Sequence, residues 1–156
     1  MLPGKHNVEN AVAAIAVALK LGIPEAAIKD AIATFKGVKR RFEYIVKSTA
    51  HVYIDDYAHH PEELRACFDA VRQLYPEKKL TVIFQPHLYS RTRDFADDFA
   101  AVLSTADELL LLDIYPAREL PIAGIDAQFL MNKMTLPAKE VLTKEEVLKR
   151  IADEQP

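Results

Sequence analysis

The sequence predicts an α/β fold: a three-layer, Rossmann-like, mostly parallel sheet with an antiparallel edge hairpin, preceded by a pair of helices. Three observations carry that prediction. The runs KLTVIFQP and ELLLLDI are almost continuously apolar, as strands buried on both faces are. They alternate with stretches of helical period, the rhythm of a parallel sheet covered by helices. Ahead of them, RFEYIVKSTAHVYIDDY reads as two strands joined so tightly that they must run antiparallel.

Taken in order, NVENAVAAIAVALKLG places apolar residues at 8, 11, 12, 15, 18 and 19, with Asn7 as N-cap and Gly22 at C′. A second helix starts near Pro24, at N1, and runs to Thr34, with Gly37 beyond it. The hairpin strands cover about 41–48 and 51–57, and a helix follows over 61–75. Next come a strand at 79–85, a helix at 92–104 and a strand at 108–114. A short helix near 126–133, a weak strand at 139–142 and a helix at 143–153 close the chain. The alternation stops on a helix, so a last strand is expected to be missing and the chain reads as a fragment of a longer protein.

Composition narrows the function. Half of the 156 residues are apolar and 28% are charged, enough for one domain with a real core. A net charge of −3 offers no basic surface for nucleic acid. The single cysteine, Cys67, excludes a disulfide within the chain and suits a reducing, cytoplasmic setting. No stretch approaches the roughly 18 apolar residues of a membrane span, so no membrane insertion is expected.

In a doubly wound sheet, ligands bind beyond the carboxyl ends of the strands. Three successive strand ends carry the ionisable chemistry. The first holds Asp55, Asp56, Tyr57, His59 and His60; the second Gln85, His87, Tyr89, Ser90, Arg91, Thr92 and Arg93; the third Asp113, Tyr115, Arg118 and Glu119. Together, on one edge of a sheet, they make a site. Within it, Glu62 and Glu63 behind Pro61 read as helix-start residues favoured by the macrodipole. Asp55 and Asp56 face opposite ways along a strand, so one is read as the acceptor for a loop amide and Asp56 as the functional acid. The His59–His60 pair lacks HxxxH, HExxH or CxxC spacing, and no metal site is expected. SRTR sets cations at a helix start against the dipole, which points to an anion, a carboxylate or phosphate, held at Arg91 with help from the helix amides. Arg118 after YPA is ambiguous between a place in the site and a surface pair with Glu119. Arg40 and Arg41 of GVKRRFE stand together at the first strand, and the spacing does not choose between them.

No phosphate loop, G-x-G-x-x-G fingerprint or G-x-S-x-G elbow is present, and the chain has only four glycines. The chain therefore presents cations and acids without a nucleophile or a phosphate cradle. No catalytic residue is expected in isolation; these residues describe half of an active site.

The blocks PGKHNVENAVAAIAVA, GVKRRFE, DDYAHHPEE, FQPHLYSRTRDF and LLLLDIYPARELPIAG, spanning roughly residues 3 to 124, resemble in order the C-terminal domain of the Mur ligases. They are most similar to the branch that adds L-alanine. The resemblance implies that residues 1–156 are that C-terminal domain, with a UDP-sugar domain and a central ATPase domain lying outside the chain. It implies ATP-dependent amide ligation. The carboxylate of UDP-N-acetylmuramate becomes an acyl phosphate, the amine of L-alanine attacks it, and Mg2+ is bound mainly by the central domain.

By the same resemblance, Asn7 and Asn10 contact the adenine side of the nucleotide, Arg41 approaches its phosphates, and Asp56, flanked by Tyr57, accepts from the ribose hydroxyls. His59, His87 and Arg91 fall to the incoming amino acid, with Arg91 on its carboxylate. One departure stands out: some members carry arginine where this chain has Leu88. A murein tripeptide ligase of the same family, or a stand-alone nucleotide- or metal-binding module, are the alternative readings.

Overall fold

The computed structural model describes residues 4–154. They divide into two compact units, one of residues up to 58 together with 66–74, the other of 59–65 together with 75 onwards.

In the first unit, helix α1 (Lys5–Lys20) starts behind Gly4, whose φ of 96° suits glycine. The Asn7 N–H donates to the Gly4 carbonyl at 3.1 Å, so Asn7 sits in the first turn and is not the cap expected from sequence. The other end matches expectation. Gly22 adopts φ 75° and donates to Leu19 O at 3.0 Å, while Ile23 donates to Ala18 O at 3.1 Å. That pair of bonds is a Schellman closure, which satisfies carbonyls the helix leaves without partners. Helix α2 (Glu25–Thr34) follows with Pro24 one position earlier than expected, at the N-cap.

Strands β1 (Glu43–Lys47) and β2 (Val52–Asp55) pair antiparallel, with a bulge between Tyr44 and Val46. The hairpin was expected at the edge of the parallel sheet; among the described residues it forms a two-stranded sheet of its own. Helix α3 (Pro61–Leu74) begins in the second unit and contributes its later turns to the first.

The second unit is a parallel sheet in the order β3–β4–β5, from Thr81–Phe84, Glu108–Leu111 and Lys139–Val141. The middle strand is buried along its whole length, with Leu109 and Leu111 fully enclosed, which is why ELLLLDI reads as continuously apolar. Each such leucine contributes about 2 kcal/mol through burial. The helix expected at 92–104 is two helices, α4 (Tyr89–Asp94) and α5 (Ala96–Leu103), broken at Phe95 with φ −114° and ψ 22°. From α5, Phe99 packs on Phe84 at 5.6 Å between ring centroids. Helices α6 (Ala127–Met131) and α7 (Lys144–Glu154) complete the unit. Thr143 and Glu146 form a reciprocal capping box at the start of α7, at 2.8 and 3.2 Å.

At the amino end of β4 the Glu108 carboxylate, almost fully buried, takes Lys79 at 2.7 Å, Arg150 at 2.6 Å and Thr81 at 3.0 Å. Its pKa lies below the ordinary carboxylate range, the Lys79 hydrogen bond outweighing the opposing effect of burial. The charges at that end of the sheet are thus paired with one another, and in a parallel sheet ligands bind beyond the opposite, carboxyl ends of the strands. No described helix is long and apolar enough to cross a membrane.

Candidate functional site

The residues proposed for a site fall into two corners, one in each unit. The first follows β2. Asp56 is wired into its own loops: Oδ2 accepts the Phe42 N–H and Oδ1 the Ala58 N–H, each at 2.8 Å. The amide-acceptor role, which sequence reasoning left to one of the two aspartates while favouring Asp56 for ligand, thus belongs to Asp56 itself. Asp55 instead faces Arg40, 3.4 Å away.

Between them these contacts hold a tight turn in which Arg40 and Phe42 both take positive φ, 58° and 50°. Residues with side chains resist that region, so the turn needs fixing from outside, and Asp56 supplies it. Phe42 is almost entirely buried and anchors the turn. The Tyr57 N–H closes it further by donating to Arg40 O at 2.8 Å. Arg41 is left exposed, its guanidinium 5.8 Å from the centroid of the half-exposed Tyr57 ring, with that of Arg40 at 4.8 Å. On α1, Asn7 is half-buried and Asn10 exposed, one turn apart on the same helix.

The second corner follows β3 and β4, whose pairing continues past the named strands. Leu112 donates to Phe84 O at 2.9 Å, Tyr115 to Pro86 O at 2.8 Å and Leu88 to Tyr115 O at 2.9 Å. This extension brings His87 against Tyr115, ring on ring at 5.5 Å. Arg91, one helical turn on, approaches His87 Nδ1 at 3.5 Å. Burial, then the nearby Arg91 and His59, pull the His87 imidazole below its ordinary range, with Glu119 opposing them. His59 belongs to this unit too: its N–H and its Nδ1 both meet Glu63, at 2.9 and 3.1 Å.

Several sequence readings change here. The strand ends do not lie on one sheet edge; those of β3 and β4 do, while β2 ends a separate hairpin. Arg91 and Arg93 lie in the last turn of the short α4, so the argument from cations at a helix start does not hold. Glu63 does more than favour a dipole, since it fixes His59. His59 and His60 part company, His60 packing edge-on against Phe95 at 4.6 Å. Glu119 takes Ser90, not Arg118, as partner, through both the Ser90 N–H at 2.9 Å and the Ser90 hydroxyl.

Residues 40–155 match the family described as Mur ligase, glutamate ligase domain. The chain belongs to the Mur ligase family.

Among its Mur ligase relatives, UDP-N-acetylmuramate–L-alanine ligase of Flavobacterium johnsoniae is 57% identical over 150 residues, 96% of this chain and 33% of its own length. The chain thus spans about a third of the curated relatives it matches. The crystal structure of UDP-N-acetylmuramate-alanine ligase from Thermotoga maritima superposes with a TM-score of 0.76 at 30% identity, over 96% of this chain and 32% of that one. A murein peptide ligase from Psychrobacter arcticus gives 0.66 at 25% identity, over 97% and 32%. The α1–α2 pair precedes the residues that the family match covers.

Sequence reading placed Tyr115 and Glu119 at the third strand end but not their contacts with His87 and Ser90, and it gave Glu63 only a helix-start role. Glu63 had a legible signal, an acid three positions into a helix. Glu119 had none, because its partner lies 29 residues away.

Proposed function

We propose that this chain is the C-terminal part of a cytoplasmic, ATP-dependent ligase that joins L-alanine to UDP-N-acetylmuramate. One observation carries the reading: 57% identity over 150 residues to a protein named for that reaction. In the reaction, the muramate carboxylate takes the γ-phosphoryl group of ATP. The amine of L-alanine then attacks the acyl phosphate, and phosphate leaves.

The geometry supports a division of labour. Arg91 offers the alanine carboxylate a planar fork that can bind both oxygens at once. The shift of His87 toward its uncharged form limits the positive charge that Arg91 already brings to the corner. His59, anchored by Glu63, completes the amino-acid side. On the nucleotide side, Arg41 is exposed to meet phosphates and Tyr57 offers a half-exposed ring. Asp56 keeps one acceptor site on each oxygen for ribose hydroxyls after its two amide bonds. Asn7 and Asn10 fall to the adenine.

Magnesium would neutralise phosphate charge in such a ligase. We assign it mainly to the central domain that the family resemblance places outside this chain.

Substrate competition in the complete ligase tests the reading. With ATP and UDP-N-acetylmuramate present, L-alanine is expected to drive phosphate release while the murein tripeptide does not. Release with the tripeptide alone would move the chain to the peptide-recycling branch.

A further inference from the structure

Helix α4 carries Arg91 but does not cap itself. Its N-cap position is Leu88, at φ 74° and with no side-chain hydrogen bond. The cap comes from Glu119, in the loop after β4: one carboxylate oxygen accepts the Ser90 N–H at 2.9 Å, and the other takes the Ser90 hydroxyl. The same loop holds the residues just ahead of the helix, through Leu88 N–H on Tyr115 O at 2.9 Å and the Tyr115 ring on His87. An arginine on a six-residue helix is only as well placed as the helix start, two residues before it.

We propose that Glu119 is a positioning residue for the amino-acid carboxylate: by capping α4 from the neighbouring strand's loop, it sets where Arg91 stands. This rests on Arg91 binding that carboxylate, as proposed above. The carboxylate suits the task for a second reason. Its charge also acts on the nearby Arg91, whose cation helps hold the Glu119 carboxylate ionised. Glu119 reaches the ligand only through Ser90 and Arg91, so its loss acts on binding and not on the phosphoryl step.

The test is kinetic, in the complete ligase. Glu119→Ala is expected to raise the KM for L-alanine about tenfold, the scale of one charge-assisted hydrogen bond, with the KM for ATP and kcat changed by less than about twofold. Glu119→Gln, whose amide oxygen still accepts the Ser90 N–H, is expected to recover most of the loss. Ser90→Ala removes only the hydroxyl contact, so combined with Glu119→Ala it is expected to be no worse than Glu119→Ala alone.

Equal rises in both KM values, no rescue by glutamine, or full additivity would overturn the proposal. Should Glu119→Ala fail to fold, Glu119→Leu, which keeps the bulk and removes both acceptors, decides alone: a higher KM for alanine supports the proposal and an unchanged one overturns it. Arg91→Ala separates the two levels. If it raises the KM for alanine and the Glu119 and Ser90 variants do not, only the positioning role falls. If Arg91→Ala itself changes nothing, the reading of the corner falls with it.

Discussion

The two corners use one device for different ends. In each, a carboxylate accepts two donors and fixes the backbone beside an arginine: Asp56 takes the Phe42 and Ala58 amides, and Glu119 takes the Ser90 amide and hydroxyl. Asp56 holds a turn with two residues at positive φ around the buried Phe42, so it stabilises a conformation the chain resists. The second corner also holds non-glycine residues at positive φ, Leu88 at 74° and Ala117 at 51°, but Leu88 is held by the Tyr115 carbonyl and the Glu119 carboxylate takes Ser90, so Glu119 sets position more than it offsets strain. The comparison teaches that a carboxylate in such a site need not touch ligand to matter. What it fixes tells whether its loss is felt in stability or in binding.

The largest expected effect follows from that contrast. Asp56→Ala leaves the Phe42 amide, beside a buried ring, without its acceptor and frees the strained turn. It is expected to lower unfolding free energy by about 2–3 kcal/mol in urea titration of this chain. Glu119→Ala is expected to cost distinctly less in the same titration. Equal losses, or a larger one for Glu119, would erase the difference drawn between the corners.

A smaller effect sharpens the first corner. Cys67 is half-buried, and burial, with the Asp56 charge adding to it, pushes its thiol up to about 12. The reactive species is the thiolate, so at pH 8 native Cys67 is expected to react with a thiol reagent far more slowly than in denaturant. Asp56→Asn removes the lesser of the two causes and is expected to speed the reaction only modestly. Fast labelling of the native chain at pH 8 would mean that this part of the first unit is more open than described.

Much of the fold was legible because it rests on short-range periodicity. The continuous apolarity of β4, the helical spacing of α1 and the Gly22 terminus are all local signals, and the structure matches them. The break at Phe95 was not legible, since YSRTRDFADDFAAVL keeps a helical pattern straight through it. Nor was the separation of the hairpin from the parallel sheet, because strand pairing beyond neighbours is a long-range choice.

The corners divide in the same way. His87 and Arg91 stand four apart on either side of a helix start, close enough in sequence to be read as a pair, and they meet at 3.5 Å. Glu63 on His59 is also four apart and was under-read only because its simpler role as a helix-start acid sufficed. Asp56 to Phe42 spans 14 residues and Ser90 to Glu119 spans 29, and no spacing rule announces either. That is why the sequence announces Asp56 as a site acid and not its hold on the Arg40–Phe42 turn.

The most direct measurement on the second corner is the steady-state kinetics of Arg91→Ala in the complete ligase. Loss of a bidentate, charge-assisted contact is expected to raise the KM for L-alanine by about ten- to a hundredfold while the KM for ATP stays within about twofold. An unchanged KM for L-alanine, or a rise confined to ATP, would contradict the assignment of this corner to the amino acid.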